Sequence, residues 1–237
     1  MANTALAVAE AALRARKLDR TLTTSLPLAV RPNAAATEIA RLDACLHGGL
    51  PRGELSELVG RQSSGRTAAA LHMLAAATRR GEIVALVDTF DRLDAASAAS
   101  AGIDLDRLLW IRGEASSLFD RVMERGLKAL TLVLQAGGFG IVVFDLADAP
   151  AQALNRIPFT TWLRIQRTIE GSETVCLLLA PHAMTRSAGG LTLTCEGRPE
   201  WEGDAGRSRR LAGLEMGVRV VSPRRQVEGD VACSARL

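Results

Sequence analysis

The sequence contains no tyrosine, and its three tryptophans and five phenylalanines make aromatics only 3% of 237 residues. Stacking the successive bases of a single strand needs aromatic platforms, so that mode of nucleic-acid binding is not expected. Cysteine is equally sparse. Cys45, Cys176, Cys195 and Cys233 stand singly, with no C-x-x-C pair to hold zinc. Nothing reads as a leader for export, so a reduced cytoplasm is the expected setting. No apolar run reaches the roughly 18–20 residues that span a bilayer. An excess of one charge is also missing: 29 Lys and Arg against 26 Asp and Glu leave a net charge of +3. That is well short of a dedicated nucleic-acid binder.

Core material is plentiful. Hydrophobic residues make up 48% and charged residues 23% of the chain, a balance that excludes global disorder and suits one α/β domain. The expected division is an N-terminal helix and linker over residues 1–36, a core over 37–225 and a loose tail over 226–237. Residues 2–18 are alanine-rich and charged, with Leu6, Ala9 and Leu13 spaced for a helix that lies either on its own domain or on a partner. Pro27 and Pro32 mark the linker.

The informative stretch is GRQSSGRT, residues 60–67. It supplies Gly60, Gly65 and Thr67 of the phosphate-binding pattern G-x-x-x-x-G-K-[ST], with Arg66 in place of the lysine. The glycines let a loop curl so that its amides, Ser63 and Ser64 included, face an anion, with the positive end of the next helix behind them. Thr67 is the expected Mg²⁺ ligand. A lysine reaches β and γ phosphates as a compact ammonium, whereas arginine is a wider planar fork, so nucleotide binding does not follow from the loop alone. Upstream, residues 54–59 (ELSELV) read as a buried strand. Downstream, Leu71, Leu74, Ala75 and Thr78 form a helical stripe that ends at Gly81.

Further along, residues 83–87 form a continuous apolar run suited to a strand covered on both faces. A helix over 95–101, a strand over 108–111 and a long helix capped by Ser116 or Ser117 follow. Residues 141–145 (IVVFD) are an apolar strand ending in Asp145, the Walker B pattern, whose carboxylate can hold Mg²⁺ beside a P-loop. A helix over 155–170 and a strand over 174–180 come next, with strands over 191–195 and 216–221 expected as antiparallel additions. The alternation predicts an α/β fold: a mostly parallel sheet with helices on both faces and antiparallel strands at the C-terminal side.

These blocks resemble the RecA-type ATPase core from about residue 38 to residue 225. The resemblance is carried in order by LDACLHGGLPRGELSELVGRQSSGRT, VALVDTFDRLDA, AGIDLDRLLW and IVVFDLAD. Within it, GLPRGELSELVG looks like the ImuA (SulA-like) proteins encoded with damage-inducible translesion polymerases. The resemblance implies ATP and Mg²⁺ held by Gly60, Ser63, Ser64, Gly65, Arg66, Thr67 and Asp145, with Thr67 and Asp145 on the metal. It also implies partners: an ImuB-type polymerase homologue, an error-prone polymerase subunit and RecA itself, with single-stranded DNA contacted weakly or indirectly. The alternatives it leaves open are an ATP-dependent recombinase or DNA-stimulated ATPase and a RecA-fold signalling ATPase of the circadian-clock type.

Departures from the family pattern argue against catalysis. Phe90 stands where the family carries its catalytic glutamate, and a phenyl ring accepts no proton. The phosphate-sensing glutamine is met by the region of Pro181. The two DNA-binding loops correspond to short segments, 147–155 and 182–190, the second keeping Arg186, Gly189 and Gly190. No residue is therefore assigned as catalytic. His72 reads as structural, Trp110, Trp162 and Trp201 as core or interface, and Arg207, Arg209, Arg210, Arg219, Arg224 and Arg225 as a solvated basic face or a partner patch.

Overall fold

The computed structural model describes residues 33–114, 119–185, 190–203, 208–221 and 229–236, with side chains described as far as residue 220. The chain opens with β1 (Ala34–Ala35), α1 (Ala40–Leu46) and β2 (Leu50–Pro51), and β1 pairs antiparallel with β2. The last residues of the expected linker are thus paired to the core. Then come β3 (Leu55–Gly60), α2 (Arg66–Arg79), β4 (Ile83–Asp88), α3 (Ala95–Ser100), β5 (Leu108–Arg112), α4 (Phe119–Ala136) and β6 (Phe139–Asp145). The chain continues with α5 (Ala151–Asn155), α6 (Phe159–Ile169), β7 (Val175–Ala180), β8 (Thr192–Glu202), β9 (Arg210–Val221) and β10 (Gly229–Arg236).

Eight strands form one sheet in the order β10-β9-β8-β3-β7-β6-β4-β5. Period-two alternation sends Leu58, Leu86, Val143 and Leu179 to one face, where they pack with Ala70, Met73 and Leu74 of α2. Val59, Val87, Phe144 and Leu178 go to the other face, against Met123 and Leu130 of α4 and Trp162 and Ile165 of α6. Helices on both faces explain why the central strands read as unbroken apolar runs. The alanines of α2 favour helix and let it lie close to the sheet.

Three expectations are corrected. The segment 191–195 is not antiparallel to its core neighbour: β8 runs parallel to β3, from Glu57↔Thr192 to Gly60↔Cys195, and only its hairpin with β9 is antiparallel. The connection over residues 181–191 is long enough to bring the chain back to the start of β3. The helix expected over 155–170 starts only at Phe159, because Pro158 sits in extended backbone as its N-cap, and Asn155 ends the separate short helix α5. The tail expected over 226–237 contains β10, which pairs with β9 from Gly229↔Val220 to Arg236↔Gly213. Val231, Cys233 and Ala235 recur at every second position in it, but over only five residues and after a polar stretch, a signal too short to outweigh its surroundings. The expected helix over 2–18 and the caps Ser116 and Ser117 lie outside the described residues. Among the described residues, no helix is long and apolar enough to cross a membrane.

Candidate nucleotide site

β3 ends at Gly60 and α2 starts at Arg66, and the loop between them is wound tightly. Ser63 and Gly65 both take left-handed backbone, with φ of 61° and 86°. That winding turns successive amides toward one side, the arrangement that receives anions. α2 has no side-chain cap at Gly65 and no acidic residue in its first turn, so its first amides and its positive dipole end serve the same hollow. The Ser64 hydroxyl is buried without a hydrogen-bond partner.

The β8–β9 hairpin backs this loop. A Cβ at Gly197 would stand 2.5 Å from the Ser63 carbonyl oxygen, so a side chain there would displace the loop. A Cβ at Gly65 would stand 2.9 Å from the Met216 sulfur. Gly197 and Met216 are register partners, and Leu214, farther along β9, lines the cavity. None of the three carries a sequence signal, because only the pairing of two distant strands puts them there. The buried Glu57 of β3 was missed for the same reason. Its carboxylate accepts from the amides of Met184 and Thr185 at 2.6 and 3.0 Å and from the Thr192 hydroxyl at 2.9 Å. It thereby ties the segment after β7 to the P-loop strand.

The loop opens on a cavity of about 350 Å³ walled by the ends of β4 and β6, and Ser63, Ser64, Gly65, Arg66, Thr67 and Asp145 all line it. Gly60 opens the loop beneath. The sequence-predicted residues are therefore together, but the guanidinium of Arg66 is engaged by protein carbonyls. Its side chain is buried, one guanidinium nitrogen donating to the Gly60 carbonyl and the other to the Ala147 carbonyl at 2.9 Å. The Ala147 amide in turn donates to Asp145 at 2.8 Å. Burial pushes the Asp145 carboxyl up to about 6; Asp88 and Asp148 add to the rise, while the Ala147 amide and the Arg66 charge oppose it.

The neighbouring carboxylates are all engaged. Asp88 accepts from the amides of Arg92 and Leu93, each at 2.8 Å, and from Trp110 Nε1 at 3.1 Å. Asp91, beside Phe90, is bound by both arms of Arg112 at 2.8 Å, which holds its carboxyl below the usual range. Asp148 pairs with Arg92 at 3.0 Å. Phe90 itself lines the cavity and packs its ring against Phe119, with centroids 6.2 Å apart.

For the group the family implies, ATP with Mg²⁺, the loop backbone and the two expected metal ligands, Thr67 and Asp145, fit, and Arg66 does not. The uncapped amides suit phosphate oxygens, but the cation at the lysine position is spent on protein carbonyls.

The first DNA-loop segment, 147–155, is folded rather than extended. It contains α5, buries Ala149, Ala153 and Leu154, and is closed by the Ala149 amide donating to Leu146 at 3.0 Å. In the second segment Arg186 and Gly189 lie outside the described residues, as do Arg207, Arg224 and Arg225 of the basic region. Arg209 stacks 4.7 Å from the centroid of the exposed Trp201, and Arg210 pairs with Glu202 at 2.7 Å. Trp162 is buried, as its helical context predicted. His72 keeps a buried Nε2 without a partner, and among the described residues no group of three potential ligands gathers for a metal.

A glycine loop between β3 and α2, Asp145 at the end of β6 and a sheet continued by an antiparallel hairpin define a P-loop core of the RecA type. Residues 29–154, just over half of the chain, match the RecA N-terminal domain family, and the chain belongs to that family. It is 38% identical over 108 residues to the RecA protein of Nostoc punctiforme, a match covering 46% of this chain and 28% of that one. It is 37% identical over 127 residues to the RecA protein of Paenarthrobacter aurescens, covering 53% and 33%. The chain thus spans about a third of the length of these curated relatives. Two solved structures share the fold. The RadB recombinase has a TM-score of 0.56 at 16% identity, with 85% of this chain and 95% of that one covered. The flagellar accessory protein FlaH of Methanocaldococcus jannaschii has a TM-score of 0.57 at 14% identity, covering 86% and 99%.

Proposed function

We propose that this RecA-family chain is an ImuA-type accessory protein of SOS-induced translesion DNA synthesis, acting in DNA repair as an adaptor rather than as a nucleotide-driven motor. One observation carries the non-catalytic half of the reading: every carboxylate described around the cavity is already held by a donor, and Phe90 occupies the wall where a general base would stand. A base must be within hydrogen-bond reach of the attacking water and free to take its proton. The GLPRGELSELVG block supports the ImuA assignment, and the folded segment 147–155 supports a weak or indirect role for single-stranded DNA. The partners in this reading are an ImuB-type polymerase homologue, an error-prone polymerase subunit and RecA, with residues 2–18 and the segment after Gly206 as contact regions.

An adaptor that needs no nucleotide assembles without one. Purified protein mixed with the ImuB-type partner in EDTA, with no ATP, is expected to co-elute on size exclusion. If the complex forms only when hydrolysable ATP and Mg²⁺ are present, or does not form at all, the reading fails.

A further inference from the structure

We propose that Arg66 is a built-in substitute for a bound nucleotide: a guanidinium strut that keeps the P-loop and the exit of β6 locked together while the cavity stays empty. The inference rests on the RecA-family reading of the loop and goes beyond the loss of catalysis, because it gives the replaced residue a positive task.

The geometry behind it is a chain of donors. Arg66 is the first residue of α2, yet it is only 6% exposed and reaches back to the start of the loop it follows. One nitrogen takes the carbonyl of Gly60, where β3 ends; the other takes the carbonyl of Ala147, two residues beyond the end of β6. β3 and β6 are not neighbours, since β7 lies between them, so their exits are not joined by a strand ladder at this level. The peptide at Ala147 then passes the connection on, its amide donating to Asp145. A single cation therefore ties P-loop, Walker B strand and its carboxylate into one unit.

Arginine suits this task where lysine does not. The planar fork presents two divergent donors that reach two carbonyls at once, whereas an ammonium is a compact point charge on a flexible stem. Guanidinium is also less strongly hydrated than ammonium, so burying it against carbonyl oxygens costs less. A nucleotide's phosphates and Mg²⁺ would draw P-loop and β6 exit together; here one side chain of the loop's own end makes the connection. The same commitment engages the cation at the position of the motif's lysine with protein carbonyls. Arg92, the other arginine on the cavity wall, is paired across it with Asp148.

The test is thermal unfolding of the full chain with and without millimolar Mg–ATP, on the natural protein, Arg66→Met and Arg66→Lys. The natural protein is expected to melt at the same temperature in both conditions. Arg66→Met is expected to melt roughly 5–10 °C lower, as two buried carbonyls lose charged donors, with no response to Mg–ATP. Arg66→Lys is expected to be lowered in the empty form and raised again by Mg–ATP, because its ammonium is free to face the cavity. Should the methionine variant fail to fold, the lysine variant decides. Variants as stable as the natural protein, or a lysine variant lowered but blind to Mg–ATP, would overturn the substitution. A natural protein stabilised by Mg–ATP without hydrolysing it would also sink the strut while leaving the adaptor reading intact; hydrolysis would sink the adaptor reading instead.

Discussion

Asp145, at the end of β6, is a buried carboxylate that accepts from the Ala147 amide and has two further carboxylates, Asp88 and Asp148, among its neighbours. Its carboxyl is accordingly pushed up to about 6 from the ordinary 3.8. The folded value lies above the unfolded one, so between about pH 4 and pH 6 the folded chain binds more protons than the unfolded chain. Stability then falls as pH rises through that window, and above it the ionised carboxylate carries a constant penalty. Asp145→Asn is expected to abolish this slope and to gain roughly 2–3 kcal/mol over the natural protein at pH 8 relative to pH 4. Urea unfolding of both proteins across that range measures it. A variant that is less stable at pH 8 would mean that the ionised carboxylate has a favourable partner in the folded protein.

Among the elements, those whose evidence is local were legible in the sequence. The apolar run before Gly60, the stripe of α2 and the IVVFD strand each declare themselves within a dozen residues, and so the P-loop and Asp145 could be placed before any contact was known. What could not be read depends on distant partners. β10 has Val231, Cys233 and Ala235 at every second position, but over only five residues, and its pairing depends on the open edge that β9 offers. β8 is parallel to β3 because of where the preceding connection returns. Gly197 lies under the P-loop because two strands pair in one register, and the inward turn of Arg66 is decided by the carbonyl of Ala147, 81 residues away. Pro158 is a local signal for the late start of α6. β10 supplies the element-scale test. Deleting residues 229–237 uncovers the outer edge of β9, and the loss of its ladder is expected to cost on the order of 2–4 kcal/mol and to promote association through the bare edge. Guanidinium unfolding and size-exclusion chromatography read the two effects. If the shortened chain stays monomeric and equally stable, the pairing is not part of the working fold.

At the scale of the whole molecule, the protein keeps the RecA-family frame and the backbone of its phosphate cradle but commits several side chains around that site to partners within the protein. Arg66 serves the loop, Asp88 the turn after β4, Asp91 a surface pair with Arg112, and Phe90 the apolar wall. A motor needs those groups free to meet phosphate, metal and water; an adaptor needs only a stable frame that presents its surfaces. Removal of a general base alone costs about 10²- to 10⁴-fold in rate, and here the cation is withdrawn as well. The most direct measurement is ATP turnover by the purified natural chain in Mg²⁺, alone and with saturating single-stranded DNA. The account predicts release of phosphate at the background rate in both cases, and a clear DNA-stimulated turnover would contradict it.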